Sequence, residues 1–134
     1  MNPKRSSIKD WLLMGKIDLK SAKASLKDKI YSSVCFHCQQ AVEKALKAFL
    51  LHFESEVTKT HDLLLLLNRA VKYREKFNKF KKEVGFLNKF YIPTRYPDAF
   101  PGSLPEGLPQ KEDALQALKN AKKIFAAITI DLKT

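Results

Sequence analysis

The chain has 134 residues, enough to bury a core as one domain (1–134) and too few for two ordinary ones. Lys and Arg number 25 against 14 Asp and Glu, and the formal charge of +11 attracts polyanions: nucleic acid, nucleotides, an acidic protein or a membrane surface all qualify, beside the plainer role of a solvated lysine-rich surface. The opening MNPKRSSIKD has no apolar core of signal-peptide length, and charges interrupt each later apolar stretch before it could span a bilayer, so neither a secreted nor a transmembrane protein is expected.

Four stretches place apolar residues at helical spacing, and none alternates as a half-buried strand would. The first runs from about Ser7 to Lys27, with Ile8, Trp11, Gly15, Leu19, Ala22 and Leu26 on one face. The second, Tyr31 to Phe53, carries Val34, Cys38, Ala41, Val42, Ala45, Phe49 and Phe53, and its alanines allow a neighbour to approach closely. It is the expected central helix. SEVTKT then breaks the chain, with Thr60 in place to cap a short helix from Asp62 to about Tyr73 whose five consecutive leucines, Leu63 to Leu67, make more than one face apolar. From Phe77 a seam of Phe77, Phe80, Val84, Leu87 and Tyr91 follows at steps of three and four.

Residues 92–110, IPTRYPDAFPGSLPEGLPQ, hold five of the six prolines, so no regular helix runs through them. Long irregular loops of this kind tend to carry function. The last helix starts near Lys111, with Glu112 and Asp113 in its first turn and Ala114, Leu118, Ala121, Phe125, Ile128 and Leu132 along one stripe. The pattern predicts an all-α fold, an up-and-down helical bundle of four long helices plus one short helix.

Several groups of residues carry possible chemistry. Cys35-Phe36-His37-Cys38 contains metal-ligand types, but one pair of cysteines makes neither a structural zinc site nor a disulfide framework; no metal or other cofactor is expected, Cys38 reads as core, and a reducing compartment, the cytoplasm, is the default. His61 beside Asp62 forms either an imidazole oriented by a carboxylate or a plain helix start. Glu43, Lys44 and Lys47 form a polar strip on the central helix: an exposed i, i+4 ion pair in the simple reading, and a phosphate-receiving Lys44 or Lys47 in the functional one. Arg95 can fork onto phosphate, Tyr96 can stack on a base, and Tyr91 precedes them by about one helical turn. Between Arg69 and Tyr91, eight Lys and Arg face only Glu75 and Glu83; with the interleaved aromatics assigned to the core, this basic face attracts phosphates without reading bases.

The order of these features resembles the HEPN family of small helical domains. Trp11, Asp18-Leu19 and Ala22 match its first-helix pattern, Cys38-Gln39-Gln40-Ala41-Val42-Glu43-Lys44-Ala45-Leu46-Lys47-Ala48 its most recognisable stretch, Lys59-Thr60-His61-Asp62-Leu63 the start of its next helix, and Thr94-Arg95-Tyr96-Pro97 a loop signature of one branch. The resemblance implies a homodimer, a minimal nucleotidyltransferase partner encoded nearby in a toxin-antitoxin-like pair, and either nucleotide binding or RNA cleavage. Ribonuclease members place a histidine after an arginine with four to six residues between them; here none of His37, His52 or His61 is so placed, and Arg95 is followed at those positions by Phe100, Pro101 and Gly102, which leaves no catalytic residue to assign. The expected function is a nucleotide- or RNA-phosphate-binding module using Arg95, Tyr96, Lys44, Lys47, His61 and Tyr91. A protein-interaction bundle with no ligand of its own and a ribonuclease with an altered active site are the alternatives.

Overall fold

The computed structural model describes residues 3–91 and 107–133, and within them every regular element is helical. Helix α2 (Tyr31–Phe53) organises the rest, because from Val34 to Leu51 only Phe36, His37 and Lys44 are not buried. Apolar residues on more than one face force neighbours onto all of its sides. Helix α1 (Pro3–Lys27) packs antiparallel along it and α5 (Lys111–Lys133) covers another side. Helix α3 (Leu63–Tyr73), a 3₁₀ segment (Glu75–Phe80) and α4 (Lys81–Asn88) complete the bundle, with α4 also touching α5.

The limits of α2 coincide with those expected from its stripe. Helix α1 begins earlier than the periodicity predicts, at Pro3, because proline's missing N–H and fixed φ suit a first helical turn. The expected cap is corrected. Asp62, not Thr60, caps α3: its Oδ1 accepts from Leu64 N at 3.0 Å and Leu65 N at 3.3 Å, while Thr60 Oγ1 accepts from Asp62 N at 3.2 Å. Asn88 doubles that cap by donating to Asp62 Oδ1 at 3.0 Å and accepting from Leu63 N at 2.8 Å. The seam from Phe77 is divided between the 3₁₀ segment and α4, yet Phe77, Phe80, Val84 and Leu87 are all buried as the spacing requires.

The turn between α1 and α2 puts Lys29 at φ 61°, with Ile30 N donating to Ser25 O at 2.8 Å and Lys29 N to Leu26 O at 3.0 Å. This is a Schellman closure made without glycine. Gly15 marks the point where α1 meets both neighbours: a Cβ there would lie 2.6 Å from Phe125 Cε2 and 3.3 Å from the Ala41 carbonyl oxygen.

Gly15→Ala should therefore destabilise the fold by about 1–3 kcal/mol through overpacking. Gly85→Ala, inside α4 with nothing near the added carbon, should stabilise it by roughly 0.5–1 kcal/mol. Urea denaturation of the two variants checks the opposite signs.

Candidate ligand-binding cleft

A buried carboxylate needs partners, and Glu43 draws them from two directions. Along α2, Lys47 Nζ donates to its Oε2 at 3.0 Å and Gln39 Nε2 to its Oε1 at 3.3 Å. From the segment before α3, His61 Nδ1 lies 3.0 Å from Oε2 and 3.1 Å from Oε1. Gln39 also donates to the His61 carbonyl at 3.3 Å, and Gln40 Nε2 donates to Gln39 Oε1 at 2.7 Å. The network closes on itself.

The sequence reading of an exposed Glu43–Lys47 pair is corrected: the spacing is right, but the two residues are 3% and 6% exposed. The reason is tertiary, since the 54–62 segment returns over this face of α2 and covers it. The partner expected for His61 is corrected as well. Asp62 is spent on the α3 cap, and Glu43 holds the imidazole instead. An ionised carboxylate only accepts, so Nδ1 carries a proton in this contact and the imidazole is oriented through that nitrogen.

Over this network lies a cleft of about 660 Å³, bounded by Trp11 of α1, Lys47 of α2 and the segment from Glu56 to His61. Lys47 Nζ stands 5.6 Å from the Trp11 ring centroid. The His61 ring stacks on Tyr91 at 4.4 Å between centroids and 13° between planes. One opening is thus lined by an indole, a stacked imidazole, the Glu43-paired Lys47, Lys59, the acidic Glu56, and Thr58 and Thr60. Such a set suits an anionic ligand that also has a flat ring.

Two of the residues expected to bind ligand, Lys47 and His61, line this cleft, and a third, Tyr91, stacks on His61. Lys44 does not. It turns to the other side of the α1–α2 contact, where Asp18, 7% exposed, accepts from both Lys44 Nζ and His37 Nδ1. Arg95 and Tyr96 lie outside the described residues. Trp11 and the Gln39–Gln40–Glu43 cluster were not among the expected ligand-binding residues; the signal was a Gln-Gln-x-x-Glu pattern on a helix apolar on several faces, which must carry some polar groups inside.

Cys35 and Cys38 are free and buried, with thiol pKa values pushed up to about 12, chiefly by burial. Among the described residues no three His, Cys, Asp or Glu side chains converge as metal ligands, and no helix is long and apolar enough to cross a membrane.

The family model described as the HEPN domain matches residues 8–131. A Methanocaldococcus jannaschii protein named "Putative toxin MJ1304" is 31% identical over 126 residues, covering 87% of this chain and 82% of that protein. Among solved structures, TT1696 from Thermus thermophilus superposes with a TM-score of 0.73 at 35% identity, covering 91% of this chain and 95% of the other. ST0689, described as an archaeal HEPN homologue, does so at 0.71 and 27%, covering 92% and 96%.

Two outcomes follow from the buried groups. Glu43→Ala strands the Lys47 charge and should cost about 3–5 kcal/mol, whereas Glu43→Leu combined with Lys47→Met should recover most of it; denaturant midpoints separate the two. The thiols should resist alkylation at neutral pH until the chain unfolds. In the unfolded chain they ionise from about pH 9, in the folded one only near pH 12, so the unfolded state holds fewer protons in that window and stability falls as pH rises through it. Cys35→Ala with Cys38→Ala should flatten that fall relative to wild type.

Proposed function

This chain belongs to the HEPN domain family, and on that premise we propose that it is a toxin-like HEPN module that binds a nucleotide or RNA phosphate in the Trp11–His61 cleft. It acts, in this reading, as a cytoplasmic homodimer with a nucleotidyltransferase partner in a toxin-antitoxin-like pair. The observation that supports the binding role most directly is the shared opening itself: two cationic side chains, one acidic one, Glu56, and two ring systems border one cleft, above a carboxylate network that holds Lys47 and His61 in place. Phosphate needs the charge, a base needs the faces, and neither alone would require both. Arg95 and Tyr96, four and five residues after Tyr91 in sequence, are assigned to the same ligand.

A ribonuclease with an altered active site is the second reading. Its support is the His61 ring, oriented by Glu43 through Nδ1. Labelled RNA incubated with wild type, His61→Ala and Arg95→Ala tests it, and cleavage indifferent to both changes would remove it.

Trp11 is the single tryptophan and lines the cleft, so the protein carries its own probe. Titration with ATP and with short single-stranded RNA should change its fluorescence, saturably and more weakly as salt rises. No change at low salt would overturn the cleft as the binding site.

A further inference from the structure

A second cleft lies on the other side of α1. The first turns of α1, the last turn of α5 and the end of α2 enclose about 600 Å³ there. Its rim carries Lys4, Arg5 and Lys9 from α1 and Lys133 from α5, with His52 at the α2 end. Its floor is apolar, formed by Ile8, Leu12 and Leu132.

Charge sets this groove apart. The Trp11–His61 cleft includes Glu56; a cleft along α3 includes Glu54 and Asp62; one between α4 and α5 includes Glu83, itself paired with Lys123 at 3.2 Å. Among the described residues, the groove between α1 and α5 has no acidic liner. Arg5, Lys9 and Lys133 around one concavity repel each other and focus a positive potential that a bound polyanion would neutralise.

Position says which polyanion. Trp11 borders one cleft and Leu12 the other, so the two openings flank the same turn of α1. On α2, Lys47 and His52 stand five residues apart, about 7.5 Å along the axis. A ligand extending from the first cleft has only that turn of α1 to cross.

We propose that this groove binds the phosphate backbone of single-stranded RNA whose neighbouring nucleotide occupies the Trp11–His61 cleft. The inference rests on the nucleotide-binding reading above and extends it, making the ligand an oligonucleotide rather than a mononucleotide. Arg5, Lys9 and Lys133 hold the phosphates, and Ile8, Leu12 and Leu132 pack against sugar and base.

The test uses the full chain with Arg5→Ala/Lys9→Ala and Arg5→Glu/Lys9→Glu; both residues are exposed, so the fold should tolerate the changes. ATP binding, followed by Trp11 fluorescence, should stay within about twofold of wild type, since neither residue lines that cleft. Affinity for end-labelled single-stranded RNA, followed by anisotropy, should fall about tenfold or more for the charge reversal, and the slope of log K against log salt should shrink by about 1.4 for the double alanine variant. Unchanged RNA affinity and slope would overturn the proposal. So would Arg5- and Lys9-dependent binding to phosphatidylserine vesicles with RNA binding unaffected, which would make the groove a membrane contact. If Trp11 stays silent while RNA affinity still depends on Arg5 and Lys9, the groove stands and the cleft reading alone falls.

Discussion

The buried carboxylate of Glu43 is the interaction on which the candidate site depends. A charged group this far from water is tolerable only when its lone pairs are occupied, and here the occupants come from α2 itself and from the segment that leads into α3. The 54–62 segment has no regular structure through much of its length, yet the His61 side chain and carbonyl are both tied to α2. One electrostatic requirement thereby places a loop, a cation and an imidazole together. The ring face of Tyr91 completes the arrangement from the far end of the α4 region.

Much of the fold was legible because helical periodicity records burial directly. The α2 stripe gave both its limits and its central place, and the α5 stripe runs along the residues that face the core. The site was less legible. Glu43 and Lys47 sit at a spacing equally good for a solvated pair, and nothing local states that a loop will return over them. Lys44, one position from Glu43, faces Asp18 rather than the cleft because a helix turns about 100° per residue, and polar residues next to each other in sequence served different neighbours. Thr60 and Asp62 both suit a cap, and the choice between them was made by the start of α3 at Leu63.

The polar interior of the α1–α2 contact follows the same rule as the cleft. Asp18 is buried beneath a lysine and a histidine, as Glu43 is, so α2 meets α1 and the 54–62 segment at one carboxylate each, with two basic partners apiece. Such groups contribute less to raw stability than apolar packing would, but they penalise alternative registers, because a shifted helix would leave an ion unpaired. Gly15, wedged between Phe125 and the Ala41 carbonyl, sets the same register sterically.

The joint cap on α3 has a mechanical side. Leu63 donates its amide hydrogen to a side chain that belongs to α4, and the same Asn88 braces Asp62, so the first turn of α3 and the last turn of α4 are held by one set of hydrogen bonds. Neither end can fray alone. Displacing α4 would release the Leu63 amide and take Asn88 away from Asp62, loosening the residue immediately after His61 while Asp62 keeps the next two amides.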